Sequence, residues 1–452
     1  MGRITLKQAA AWCGGQIDPK YENVTFLGAN NDSRNIQPGQ LFLALTGARD
    51  GHDFIPMALE KGAAAVLCTH CDGDYPAIVV EDVRIALGDI ARGERKRIGM
   101  KVVGVTGSVG KSTTKEMIAC VLGSSYRVEK TPVNHNNDIG MPMAVLSMPE
   151  DTEVAVLEMG MNHFREIAYL ASIALPDVAV IINIGTMHIE HLGSQEGILK
   201  AKLEILEGMK DSGKVILNGD DQLLWNVRQT GIRATYFGVR NPDCQVLGSN
   251  VAENAGVLRF DVTSGDETRE VTLHLEGQHF VSDALAAVSV GLAMDVDPEK
   301  ICESLALFRN MAGRQEIYEV KGYTIIQDCY NAGPESMAAA LNVLGNRNGR
   351  KVAVLGDMLE LGVCTQAEHY RIGRIAAEKA DVVLAYGPNS SRVVSGALTG
   401  GMDPAKVQGF EDRQALVAAL KRSAKSGDVI LFKGSHGMHM ELALEAFLKD
   451  DT

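Results

Sequence analysis

The stretch GVTGSVGKST, residues 104–113, limits the possible folds more than any other part of the chain. It follows a β-type run, KVVGV (101–105), and opens a helical pattern over Lys111–Leu122. A glycine-rich turn between a buried strand and a helix is the local form of a phosphate loop, where backbone N–H groups and the helix dipole converge on an anion. Thr106, Gly107, Ser108, Gly110, Lys111, Ser112 and Thr113 are therefore candidates for holding a nucleoside triphosphate such as ATP. Lys111 would set its ammonium against the outer phosphates, and Ser112 would offer its hydroxyl to magnesium. The glycines fall at 104, 107 and 110, with Val105 where a strict G-x-x-x-x-G-K-[ST] has glycine. An ordinary glycine-rich turn is the competing reading.

The rest of the chain supplies the context such a loop needs. Apolar runs at 154–159, 178–182 and 214–218 alternate with helical patterns, which predicts a parallel sheet covered on both faces. Residues 244–275 read instead as short antiparallel strands, followed by a helix over Ser282–Met294. A second alternating series begins near Gly313, with strands at 324–328, 351–357, 381–387 and 428–434. Before the loop, runs at 38–45, 63–67 and 77–80 and a helix over Val83–Arg97 form a smaller α/β unit. The expected fold is thus α/β in three domains. A small N-terminal α/β domain spans 1–98. A central P-loop parallel sheet with helices on both faces plus a small antiparallel sheet spans 99–312. A C-terminal Rossmann-like α/β domain spans 313–452. The length of 452 residues allows about three domains.

With 57 acidic against 44 basic residues the net charge is −13, which argues against a nucleic-acid or anionic-membrane binder but not against a small anionic substrate. No apolar run is long enough to span a bilayer, and Lys7 and Gln8 interrupt any signal-peptide core, so a cytoplasmic protein without membrane insertion is expected. Of eight scattered cysteines only Cys68 and Cys71 form a C-x-x-C, which reads as reduced thiols.

Several segments, in order along nearly the whole chain, resemble the Mur ligases, ATP-dependent enzymes that build the peptide of bacterial peptidoglycan. They are DSRNIQPGQLFLALTGARDGHDF (32–54), the T-G-S-x-G-K-S loop, NHNNDIGMP (134–142), LEMGMNH (157–163), NIGTMHIEHLGS…KAKLEI (183–205), AGRQEI (312–317), QDCYNAGPESM (327–337), LGDMLELG (355–362) and FKGSHGMHME (432–441). The Y-N-A-x-P-x-S-M and G-D-M-x-E-L-G runs resemble the branch that adds D-Ala-D-Ala to a UDP-N-acetylmuramoyl-tripeptide. Two departures stand out. His279-Phe280-Val281-Ser282-Asp283 replaces the family's H-N-x-x-N near the adenine, and Lys433-Gly434-Ser435-His436 replaces K-G-S-R.

The resemblance implies a reaction in which ATP phosphorylates a carboxylate and an amine attacks the acyl phosphate, in a monomeric enzyme with magnesium. It assigns roles to residues whose types suit the chemistry. Glu158, at a strand end, would hold magnesium with Ser112, with a solvated strand end as the alternative. His188 follows another strand and resembles a second metal ligand. Lys200 and Lys202 lie on different faces of one predicted helix. The resemblance picks Lys202, carbamylated, as a further metal ligand. Arg314 would reach the γ-phosphate. His279, Asp328, Tyr330 and Asn331 resemble nucleotide contacts, with Asp328 suited to ribose hydroxyls and Tyr330 to the adenine face. Ser33 and Arg34, joined by Thr46 and Gly47, resemble uridine-diphosphate contacts. Asn137 resembles a substrate contact, with a loop-capping asparagine as the alternative. Two readings from other classes compete: a P-loop ATPase switch with no second substrate, and an inactive UDP-sugar-binding scaffold.

Overall fold

The computed structural model describes residues 4–254, 256–311 and 313–449. The domain boundary expected at Ala312 and the chain ends at 1 and 452 lie outside the described residues. Among the described residues the chain forms four sheets. Ile4–Thr5 pairs with Thr25–Phe26 in a two-stranded ribbon. A four-stranded parallel sheet then runs Ala29–Asn30, Leu41–Leu43, Ala65–Cys68 and Ala77–Val79, in sequence order. Its short strands are nearly all buried, as expected when helices cover both faces.

The central sheet has nine strands. The strand Lys101–Thr106 sits between Val154–Glu158 on one side and Val178–Ile181 on the other. The chain therefore leaves that strand in one direction and later returns on its other side. This is a topological switch point, where the loops at the strand ends diverge and leave a crevice. The antiparallel strands expected over 244–275 are Val246–Asn254, Val257–Ser264 and Glu267–Leu273. They do not form a sheet of their own. Val246–Asn254 pairs in parallel with Thr235–Gly238, so the hairpin extends the main sheet. The sequence reading lacked Thr235–Gly238, the strand that makes this join. The helix expected from Ser282 begins at His279 and runs to Ala293.

The last sheet has six strands, in the order Glu316–Val320, Tyr323–Asp328, Val429–Lys433, Lys351–Gly356, Val382–Tyr386 and Val407–Phe410. All are parallel except the edge strand Glu316–Val320. That strand and Val407–Phe410 were not read from the sequence, because both are only partly buried at sheet edges and lack an apolar run. Asp328 and Lys433 stand side by side at the carboxyl ends of the two neighbouring strands. The carboxyl edges of the central and last sheets thus contribute to the same cleft. Among the described residues no helix is long and apolar enough to cross a membrane.

Candidate active site

The phosphate loop takes its shape from two glycines. A Cβ on Gly107 would lie 2.2 Å from Ile182 Cγ1, so no side chain fits there. Gly110 has φ +83° and caps the helix Lys111–Gly123, with no side chain filling the N-terminal hydrogen-bond positions. First-turn N–H groups left this way are available to an anion. Asn183, just past the neighbouring strand Val178–Ile181, braces the loop: its Oδ1 accepts from Ser108 N and Val109 N at 2.9 Å, and its Nδ2 donates to Val109 O. Ser108 and Thr113 are buried, and among the described residues the buried Thr106 hydroxyl has no hydrogen-bond partner.

Lys111 curls over the loop and donates to the carbonyls of Gly107 and Ser108 at 2.9 and 3.2 Å. Burial lowers its pKa and the nearby Arg314 adds to this, while Glu158 acts in the opposite sense. Glu158 ends its strand 4% exposed. Its carboxylate accepts from Ser112 Oγ at 2.6 Å and from Asn136 Nδ2 at 2.9 Å. Burial alone would raise its pKa, but the Lys111 charge and these two bonds outweigh burial and hold it below the usual carboxylate value. Behind the loop Lys115 is fully buried and donates to Thr131 O at 2.6 Å, while Thr131 Oγ1 accepts from Glu158 N.

The last domain reaches over this arrangement. Arg314 Nη2 donates to Ser112 Oγ at 2.8 Å, and its guanidinium lies 3.8 Å from the Tyr330 ring centroid. Tyr330 in turn bonds to Asn134 through its hydroxyl. Asp328 accepts from Lys433 Nζ at 2.6 Å, and the Asn331 carbonyl accepts from the same ammonium. Tyr330 therefore rests on Arg314 beside the phosphate loop, and His279 and Asp328 line the same cleft. The whole cleft encloses about 940 Å³.

His188 lines the cleft, and the buried Lys202 lies close enough for its charge to act on it. Burial, with the charges of Lys111 and Lys202, lowers the His188 pKa to about 4, so the imidazole is neutral at pH 7. Its Nδ1 is 2.9 Å from Glu360 Oε2, in an alignment that makes no hydrogen bond. Lys202 is 2% exposed, and among the described residues its amine has no hydrogen bond or ion pair. Burial, then the Lys111 charge, holds its pKa well below the ordinary lysine value. Lys200 is exposed on the other face of the same helix, over the Phe164 ring. Among the described residues no three His, Cys, Asp or Glu side chains gather as a metal site; of Ser112, Glu158, His188 and Lys202, only Ser112 and Glu158 are hydrogen-bonded to each other.

The remaining sequence candidates divide between this cleft and the first domain. Phe280 packs in the core of the central domain, 4.1 Å from the His279 ring, and also reaches the cleft wall. Asp283 lies under the phosphate loop: Thr114 Oγ1 donates to its Oδ1 at 2.8 Å, and a Cβ on Gly110 would be 2.8 Å from that oxygen. Asn137 lines the cleft while capping the helix Gly140–Leu146 through bonds from Ile139 N and Gly140 N. Ser33, Arg34, Thr46 and Gly47 do not line this cleft. They lie in loops at the carboxyl ends of the first domain's parallel strands, with Ser33 against Met57 and Arg34 forked on Asp32. Sequence reasoning missed Asn136, Asn183, Lys115 and Lys433. All four fall inside or beside the quoted motifs, but nothing local marks partners 16 to 105 residues away.

Fold and site define the class: a phosphate-loop enzyme whose centre is shared between two α/β domains. Family models match the chain in three places: "Mur ligase family, catalytic domain" over residues 23–95, "Mur ligase middle domain" over 105–291, and "Mur ligase, glutamate ligase domain" over 313–436. A UDP-N-acetylmuramoyl-tripeptide–D-alanyl-D-alanine ligase of Bacillus subtilis is 40% identical, covering 98% of this chain and 97% of its own. A crystal structure of MurF from Acinetobacter baumannii superposes with TM-score 0.91 at 30% identity over 100% of both chains. MurF from Thermotoga maritima in complex with ADP gives TM-score 0.82 at 30% identity, covering 93% of this chain and 97% of that one. The chain belongs to the Mur ligase family.

Proposed function

We propose that this protein uses ATP to join the terminal carboxylate of a UDP-N-acetylmuramoyl-tripeptide to the amine of D-Ala-D-Ala, giving ADP and phosphate, as a monomer in the cytoplasm. The observation that carries this reading is the contact of Arg314 with Ser112 at 2.8 Å. It sets the carboxyl edge of the last sheet over the phosphate loop, so an amine held there meets a carboxylate activated on the central domain. On this reading residues 1–98 hold the uridine diphosphate through Ser33, Arg34, Thr46 and Gly47. Residues 99–312 hold ATP, and residues 313–452 hold the dipeptide and the outer side of the nucleotide.

The chemistry follows from charge. A carboxylate is a poor electrophile, and bringing it to a triphosphate joins two anions. Lys111 and Arg314 supply fixed positive charge where the γ-phosphoryl moves. The phosphate-loop N–H groups orient the β-phosphate. Once the acyl phosphate exists, the amine adds to its carbonyl carbon, the C–O bond to phosphate breaks, and the nitrogen sheds a proton. Closure of the last domain over the cleft excludes water, which would otherwise hydrolyse the acyl phosphate.

Ser112 and Glu158 would hold magnesium through hard oxygens, with the neutral His188 imidazole as a further ligand. Magnesium bound there offsets the charge of the phosphates. A buried, unpaired ammonium at Lys202 is costly, which shifts its amine toward the neutral form. A neutral amine is the form that reacts with carbon dioxide, and as a carbamate it becomes an anionic ligand. His279, Asp328, Tyr330 and Asn331 remain to shape the nucleoside side. The test is phosphate release from ATP by the purified protein, with each substrate alone and with both. Release that requires both the UDP-tripeptide and D-Ala-D-Ala supports the ligase. Equal release with ATP alone supports an ATPase switch instead.

A further inference from the structure

The cleft is also lined by a charged pair that the chemistry above does not use. Arg84, in the first turn of the helix Val83–Ile98, donates from Nη1 to Asp138 Oδ2 at 2.9 Å. Both residues line the cleft, with side chains 50% and 40% exposed. The pair is unsaturated. A guanidinium carries five N–H donors. Among the described residues the Nε–Nη2 edge of Arg84 has no acceptor, and Asp138 Oδ1 has no donor. The backbone beneath is fixed, because Asp82 accepts from Arg84 N and Tyr169 Oη donates to Arg84 O.

The place of this pair relative to the chemistry can be bounded. Asn136 donates to Glu158 at 2.9 Å, and Asp138 lies two residues along the chain, a span of at most about 7 Å. The cleft wall here is apolar at Met161, Phe164 and Leu170, and Phe164 is 41% exposed. An acceptor whose carboxylate reacts near Glu158 would send its own side chain along this wall. A flexible four-carbon stem is long enough for its end to approach the pair.

We propose that Arg84 and Asp138 recognise the zwitterionic end of the acceptor's terminal residue, a diamino acid whose distal amine carries a carboxylate beside it, as in 2,6-diaminopimelate. This rests on the ligase reading above. The distal carboxylate takes the open Nε–Nη2 edge of Arg84, and the distal ammonium donates to Asp138 Oδ1, while the methylenes lie on Phe164. The Arg84–Asp138 bond stays intact. A lysine side chain in the same place satisfies Asp138 alone and leaves the open Nε–Nη2 edge of Arg84 without an acceptor.

The experiment compares two UDP-N-acetylmuramoyl-tripeptides, ending in meso-diaminopimelate or L-lysine, with ATP and D-Ala-D-Ala held constant. We expect wild-type kcat/KM to favour the diaminopimelate acceptor by about tenfold or more, the scale of one charge-assisted pair. Arg84→Ala should raise KM for that acceptor about tenfold and leave KM for the lysine acceptor and for ATP within about twofold. Arg84→Lys keeps the charge but not the fork and should recover only part of the preference. Equal use of both acceptors by the wild type overturns the proposal and leaves the ligase reading standing. So does an equal loss on both acceptors in Arg84→Lys and Asp138→Asn, which would make the pair a structural tie. No product from either acceptor overturns the ligase reading and the proposal together.

Discussion

Asp283 gives the sharpest stability prediction. Burial raises its pKa from the ordinary 3.8 to about 7, opposed only in part by the Thr114 hydrogen bond and the Arg314 charge. A folded-state pKa above the unfolded one means that the native state binds the proton more tightly. The stabilisation is full below the unfolded pKa and is lost as pH rises through the folded one. Each pH unit inside that window removes up to about 1.4 kcal/mol, so the loss between pH 5 and pH 8 is about 2–3 kcal/mol. Asp283→Asn keeps the acceptor for Thr114 and carries no charge at any pH. The variant's advantage over wild type should therefore widen by about 2–3 kcal/mol from pH 5 to pH 8. For a domain of this size that is roughly 5–10 °C in midpoint. Thermal melts of both proteins without nucleotide or divalent cation, at half-unit steps of pH, read this directly. A difference that stays flat with pH, or that narrows as pH rises, refutes an Asp283 protonated in the folded state.

Three further predictions concern the site. Lys111→Ala should lower ligation by about 10²–10³ or more, the scale of one lost charge-stabilising donor, with an unchanged melting temperature; near-wild-type turnover at saturating ATP would contradict its place on the phosphates. Lys202→Ala should be nearly inactive and partly restored by small carboxylates in the buffer, and intact mass of the wild type should show an added carbon dioxide; a plain amine in the magnesium–ATP complex would refute the carbamate. Arg314→Ala should cost about 10²–10³ in kcat, with little change in KM for the UDP-tripeptide; a change in KM alone would place Arg314 in ground-state binding only.

Much of the fold was legible in the sequence because it is written locally. Continuous apolar runs such as VAVLE and VAVII reveal buried parallel strands, and the Gly107–Ser112 turn carries its own conformational requirements. What was missed depends on distant partners. Thr235–Gly238 is too short to read alone, yet it joins the antiparallel strands to the main sheet. Phe280 and Asp283 share one helix turn, and the sequence could not say that one enters the core while the other abuts Gly110. Lys111, Ser112, Glu158 and Arg314 were each read from motifs, and the structure brings all four together. Asn136 and Asn183 stood in the same motifs, but only tertiary contact shows them bracing the carboxylate and the loop.

The most direct test of the central claim offers the enzyme four amines in turn: D-Ala-D-Ala, a diamino acid, D-Glu and L-Ala, each with ATP and the matching UDP-muramoyl acceptor. The account predicts a new amide and stoichiometric ADP with D-Ala-D-Ala and the UDP-tripeptide, and none with the other three. Product with any of the others, and none with D-Ala-D-Ala, would contradict it.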